Sequence, residues 1–321
     1  MLRLLPPLAA FLFFALAPLQ APQSIHAAEA PAYIAMGDSL AFGVGAQNPA
    51  AEGYVALTAN ALLLNERFSG SGLDLVNISE PGATSADIVA SEDQLEKALE
   101  EIATRKTDAE PDNDVQIISI DIGGNDLLTL AEPDSPCFDE PAGALCRTLL
   151  NAMLSDLQQN LTRTLTELRQ AVSGAEIYVI DLYNPYSGTG ESLEIIAGIG
   201  VQMVNGVLAA VSADPQLGVR FVSVYELFQG RGEQWVATDH IHPSNDGHRV
   251  MAEALTASIE GRNIVIPPDI AQLPSASPSA ASSSGGDGDG VSLALFLAAL
   301  AAAFAGGGLV SAAYFLVRGR P

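Results

Sequence analysis

Lysine is almost missing from this chain: Lys97 and Lys106 are the only two in 321 residues. Together with the arginines they make 14 basic residues against 38 acidic ones, a formal net charge of −24. A nucleic-acid-binding surface needs a basic footprint. None is available here, so nucleic acid is ruled out as a partner, and the acidity reads as a solvated surface that keeps the protein soluble. Cysteine is equally scarce. Cys137 and Cys146 have no histidine near them in sequence, too little for a zinc site, so no metal is expected. In an exported chain, two cysteines this close read as a disulfide closing a small loop, with a pair of free thiols as the alternative. Histidine occurs four times: His26, His240, His242 and His248. The last three fall within nine residues, which confines any histidine chemistry of the domain to one short segment. No cofactor-binding pattern is visible.

Long apolar runs mark the two ends. Residues 1–28 read as a secretory signal peptide, with Arg3 ahead of an apolar core from Leu8 to Leu16 and small residues at Ala27 and Ala28. Residues 291–317 carry no charge over 27 positions. At 1.5 Å per residue that is about 40 Å of helix, enough to cross a ~30 Å hydrocarbon core. Arg318 and Arg320 follow it, which places the tail 318–321 in the cytoplasm and the rest of the chain outside. A processed lipid-anchor tail is the alternative. Residues 271–290 are rich in Ser, Ala, Gly and Pro and read as a flexible stalk. The expectation is a single-pass protein of the cell membrane with one extracytoplasmic domain at 29–270. With its stalk, this exported part carries 11 basic residues against all 38 acidic ones, a net charge of −27.

Within 29–270, strand-like and helix-like segments alternate. Strands are expected at 32–36, 73–78, 115–120, 175–182 and 218–224. Helices are expected at 53–68, 84–106, 147–172, 192–212 and 245–261, with an irregular Pro-rich insert at 131–146. The third strand is apolar almost throughout, as a parallel strand covered on both faces should be. Five strands, each followed by a helix, imply an α/β fold: a five-stranded parallel sheet between two helical layers.

Polar, glycine-rich turns follow the strands. The first carries Gly37-Asp38-Ser39-Leu40, the second Gly82, and the third Gly123-Gly124-Asn125-Asp126. Asp239-His240-Ile241-His242-Pro243 precedes the last helix. A parallel sheet gathers such turns at its carboxyl edge, where ligands bind in open α/β folds. Acyl transfer through a nucleophile needs a base, an orienter of that base and donors for the oxyanion. Ser39 is the candidate nucleophile. Asp239 and His242 are spaced so that one tight turn brings the carboxylate to Nδ1 and leaves Nε2 for the serine. His240 is the weaker alternative base, and His248 reads as a packed or surface helical residue. Gly82 N–H, Asn125 side-chain N–H and Ser39 N–H are candidate oxyanion donors. Phe42, Val44, Leu127, Leu128, Tyr183, Tyr186 and the cysteine loop are candidates for an acyl pocket.

These blocks together resemble the SGNH, or GDSL-type, hydrolases, and they span the domain; the Gly-x-Ser-x-Gly elbow of the α/β-hydrolases is absent. The resemblance implies a flavodoxin-like αβα sandwich. It implies Ser39 as nucleophile, His242 as base, Asp239 as orienter, and Ser39, Gly82 and Asn125 as oxyanion hole. The expected function is a membrane-anchored serine esterase or lipase acting on an acyl-ester small molecule, a lipid or an acetylated glycan. A carbohydrate O-acetylesterase or an acyltransferase would use the same residues. A non-catalytic surface binding module would keep only the fold.

Overall fold

The computed structural model describes residues 30–107, 114–141, 143–190 and 193–271. The expected signal peptide, the stalk beyond Ala271, the apolar segment 291–317 and the tail lie outside these residues.

Strand β1 (Ala32–Met36) is buried along its whole length and leads directly into a single turn of helix, α1 (Ser39–Phe42). Helices α2 (Pro49–Glu52) and α3 (Tyr54–Leu62) follow, then the edge strand β2 (Asp74–Asn77). Helices α4 (Ser85–Ile88) and α5 (Gln94–Thr107) lead to β3 (Val115–Asp121). The turn helices α6 (Gly124–Leu128) and α7 (Pro136–Asp139) precede α8 (Ala144–Ala171), the longest helix among the described residues. The chain closes with β4 (Glu176–Ile180), α9 (Leu193–Ser212), β5 (Val219–Val222), α10 (Gly232–Trp235), α11 (Asn245–Glu260) and α12 (Pro268–Ala271).

All five strands are parallel, in the order β2-β1-β3-β4-β5. Helices α3 and α11 pack together, and α8 packs against α4, α5 and α9. This gives the expected three-layer sandwich, with Tyr33, Ile34, Met36, Ile117, Ile118 and Ile120 fully buried in the central sheet. The chain leaves β1 for β2 and crosses back to β3, so the turns after β1 and β3 diverge at the topological switch point. That is where Ser39 and Asn125 sit.

Several boundaries differ from the sequence expectation. The helix expected at 84–106 is two, α4 and α5. Between them Glu92 adopts a left-handed backbone (φ 64°), its N–H donates to the Glu96 carboxylate at 2.7 Å, and Asp93 accepts the Gln94 N–H at 2.8 Å. Such local side-chain acceptors offer the backbone an alternative to helical bonding. The helix expected at 53–68 stops at Leu62. Strand β5 stops at Val222, because the next backbone N–H groups, of Val224 and Tyr225, turn to the buried Asp181 carboxylate. Helix α8 begins three residues early and takes Cys146 into its first turn, where it is disulfide-bonded to Cys137 in α7. The domain also continues through Ala271: Arg231 donates to the Ala271 carbonyl at 2.7 Å, and Gln234 and Trp235 donate to the Ile270 carbonyl.

Helix α9 alone among the described helices is long and apolar enough to cross a bilayer. Its apolar side chains Val201, Val204, Val207 and Leu208 belong to the domain core, which makes it a core helix here.

Candidate active site

The turn after β1 is built by close approach. Gly37 has φ 138°, and a Cβ at this position would lie 2.3 Å from the Asp121 Oδ1 atom; only glycine fits. The Gly37 peptide is clamped by the buried Gln94 side chain. Gly37 N–H donates to Gln94 Oε1 at 2.8 Å, and Gln94 Nε2 donates to the Gly37 carbonyl at 2.8 Å. The next N–H, of Asp38, donates to Asp121 Oδ1 at 3.0 Å. Asp38 in turn caps α1, its Oδ1 accepting the Leu40 N–H at 2.9 Å. Burial raises the Asp38 carboxyl well above the usual range, and the neighbouring Asp121 charge adds to the effect. Asp121 itself accepts from the Tyr54 hydroxyl as well as from the Asp38 N–H. Burial thus favours a neutral carboxyl at Asp38, while the bonds that Asp121 accepts favour its charged form.

The histidine segment is a closed loop. Val236 and Pro243 form an antiparallel bridge, and Ala237 N–H donates to the His242 carbonyl at 2.7 Å. His240 sits at φ 60° at the tip. Asp239 Oδ1 accepts the Ile241 and His242 N–H groups at 3.0 Å each, while Oδ2 meets His242 Nδ1 at 2.7 Å. His242 Nε2 lies 2.9 Å from Ser39 Oγ. Partial burial of Asp239 opposes its charge, but the bonds from the His242 ring and from the two N–H groups outweigh this and hold the carboxyl below its usual range. Tyr183, stacked on Phe228, donates to the Ile241 carbonyl at 2.6 Å and so supports the loop from below.

The three histidines of the domain have different surroundings. His242 meets Ser39, and His240 is exposed. His248 is buried on α11, accepting the Tyr54 N–H at Nδ1 (3.2 Å) and donating from Nε2 to the Val44 carbonyl (3.0 Å). Burial lowers its pKa to about 4, so it is a neutral tie between α11 and the segment that follows Ser39.

Ser39, Gly82, Asn125 and His242 line one cavity of about 490 Å³, with Asp239 behind His242. Among the described residues, neither Ser39 N–H nor Gly82 N–H meets a hydrogen-bond acceptor. Asn125 Nδ2 donates to the Ala83 carbonyl at 2.9 Å, which orients the amide and leaves its second hydrogen. Asp126 fastens the two turns together by accepting Ser85 N–H at 2.9 Å and Ser85 Oγ–H at 2.6 Å. At Gly82 the need for glycine is conformational (φ 87°), since a Cβ would meet nothing within 4 Å.

Of the residues expected to form an acyl pocket, Val44, Leu127, Leu128, Tyr183 and Tyr186 line the cavity, whereas Phe42 and the disulfide do not. Sequence reasoning missed Ala197 and Val201 on α9 and the clamp residue Gln94. The helical spacing of Ala197 and Val201 was visible, but nothing in it marked which face of α9 would share a cavity with Ser39. Among the described residues, no group of three or more His, Cys, Asp or Glu side chains could hold a metal ion.

A parallel sheet of this order, with Gly-Asp-Ser, Gly-x-Asn-Asp and Asp-x-x-His turns at its carboxyl edge, defines an SGNH-type αβα hydrolase fold. Residues 35–250 match the GDSL-like Lipase/Acylhydrolase family, and the chain belongs to it. It is an esterase or lipase of the GDSL type. It is 28% identical over 236 residues to the spore germination lipase LipC of Bacillus licheniformis, covering 72% of this chain and 97% of that protein. Among solved structures, a lipase from a goat rumen metagenome is 22% identical with a TM-score of 0.55, covering 71% of this chain and 97% of that one. An extracellular lipase from Streptomyces rimosus is 19% identical with a TM-score of 0.50, covering 73% and 100%. At these identities the structural likeness speaks for the fold alone.

Proposed function

We propose that this chain hydrolyses carboxylic esters through a Ser39 acyl-enzyme, on the outer side of a membrane to which its C-terminal segment tethers it. The observation that carries the chemistry is the unbroken relay from Asp239 Oδ2 through His242 to Ser39 Oγ, at 2.7 and 2.9 Å. Asp239 holds the imidazole with its proton on Nδ1, so Nε2 takes the Ser39 proton as Oγ attacks the carbonyl carbon. The oxygen then becomes negative between Ser39 N–H, Gly82 N–H and the free amide hydrogen of Asn125. His242 returns the proton to the departing alcohol. Water, deprotonated by the same Nε2, cleaves the acyl-serine and restores the resting site.

The test is hydrolysis of a short-chain aryl ester together with labelling by a fluorophosphonate probe. Ser39→Ala is expected to abolish labelling and to lower turnover by at least about 10³. A Ser39→Ala protein with wild-type turnover would overturn the assignment. The tether rests on the uncharged run 291–317 and on Arg318 and Arg320 beyond it. Ending the chain after Ala271 is expected to move activity from the membrane fraction to the medium.

A further inference from the structure

Resting on the esterase reading above, the geometry points to a rigid apolar floor, Ala197 and Val201 of α9, that selects esters of neutral medium-length acyl chains over acetyl esters of sugars. His242 serves the departing alcohol, so the alcohol side of the cavity is the wall formed by His242 and Ile241. Another wall is formed by α6, which carries Asn125, and by α9, which packs against it. It carries Leu127, Leu128, Ala197 and Val201, and an acyl chain fixed at Ser39 runs along it.

The lining chemistry favours an apolar acyl group. Apart from the reacting groups, Asp38, and Tyr183 and Tyr186, the described lining is apolar, and no lysine or arginine is part of it. Tyr183 has already committed its hydroxyl to the Ile241 carbonyl. A sugar acetate would place its sugar on the His242–Ile241 side and only its acetyl group against Leu127, Leu128, Ala197 and Val201, leaving most of this apolar wall unfilled. An anionic group would find no counter-charge. At the mouth, Leu128 and Ile241 are 43% and 39% exposed while still lining the cavity, so the apolar surface continues outward along the substrate. Counting a methylene as about the 30 Å³ of a liquid water, an eight-carbon chain fills about half of the cavity and leaves room for the alcohol.

The floor is held on both flanks. A Cβ on Gly198 would lie 2.9 Å from Asn184 Nδ2, and one on Gly200 would lie 3.0 Å from Leu127 Cδ2. These two glycines let α9 seat against the Asn184 segment on one side and against α6 on the other. Ala197 and Val201, one helical turn apart, are presented between them. Ala197 is only part-buried, so a larger side chain there enters the cavity rather than the core. The depth available to the acyl chain is set by the size of residue 197.

The experiment measures kcat/KM of the full chain on p-nitrophenyl acetate, butyrate, hexanoate, octanoate and decanoate, with an acetylated xylo-oligosaccharide as a separate arm. Wild type is expected to gain about fourfold per added methylene up to about octanoate and to be slow on the sugar acetate. Ala197→Leu is expected to lower the octanoate-to-acetate ratio by tenfold or more, and Ala197→Phe by more still. The milder Leu variant keeps the test alive if Phe disturbs folding. An acetate optimum in wild type, preference for the sugar acetate, or an unchanged octanoate-to-acetate ratio in both variants would overturn the inference and leave the esterase reading standing. A chain inert on every ester would overturn both.

Discussion

At the scale of single residues, the site depends on groups that are fixed before substrate arrives. Asn125 has one amide hydrogen bonded to Ala83, and its other hydrogen is aimed by that bond. Asn125→Ala is therefore expected to lower kcat by about 10²–10³ with a much smaller change in KM, a split that steady-state kinetics reads directly. His248 predicts a pH effect. Its pKa falls from an unfolded value near 6.5 to about 4, so the folded state prefers the neutral ring. That preference is fully expressed above pH 6.5 and is lost as pH falls through 4, for a loss of up to about 3 kcal/mol. The buried Asp121 carboxyl, raised to about 6, acts in the opposite direction. The comparison of His248→Gln with wild type isolates the histidine: the Tm difference between the two proteins should narrow from pH 7 to pH 4. His242 was legible in the sequence because so few histidines compete with it. Gln94 was not, because a lone glutamine at a helix start carries no pattern that says its amide will clamp a peptide 57 residues away.

At the scale of elements, the strands were legible and the helix ends were not. Strands β1, β3 and β4 carry buried apolar runs because helices cover both faces. The break between α4 and α5 was hidden. Residues 84–106 have helical character, and the interruption comes from Asp93 and Glu96 taking backbone N–H groups that a helix would have used. The break has a purpose for the site. Helix α4, capped reciprocally by Thr84 and Asp87, ends the turn that carries Gly82, while α5 starts afresh with Gln94 under Gly37. Thr84→Ala is expected to cost about 1 kcal/mol, seen as a lowered Tm, and to reduce kcat by loosening the Gly82 turn. The disulfide ties α7 to the first turn of α8, away from the cavity lining. Replacing both cysteines by serine is expected to lower Tm while leaving kcat/KM on short esters within about twofold.

At the scale of the whole molecule, the sheet order explains why four weak motifs make one site. Strand order β2-β1-β3-β4-β5 sets the turns after β1 and β3 side by side, and the bridge from Val236 to Pro243 swings the histidine loop over them. The charge balance acts at this scale too. A chain at −24 repels itself when compact, so raising NaCl from 10 to 300 mM is expected to raise Tm by screening; a Tm that fell with salt would contradict this. The same gathering of distant turns has a temporal meaning. Ser39 is made early, but His242, the base proposed for it, lies 203 residues later in the chain. Under the mechanism proposed above, a growing polypeptide would stay chemically silent through most of its synthesis, until the segment carrying His242 has been made and folded. On that proposal, hydrolysis would act as a completion signal, reporting that the C-terminal part of the domain has folded against the first strand.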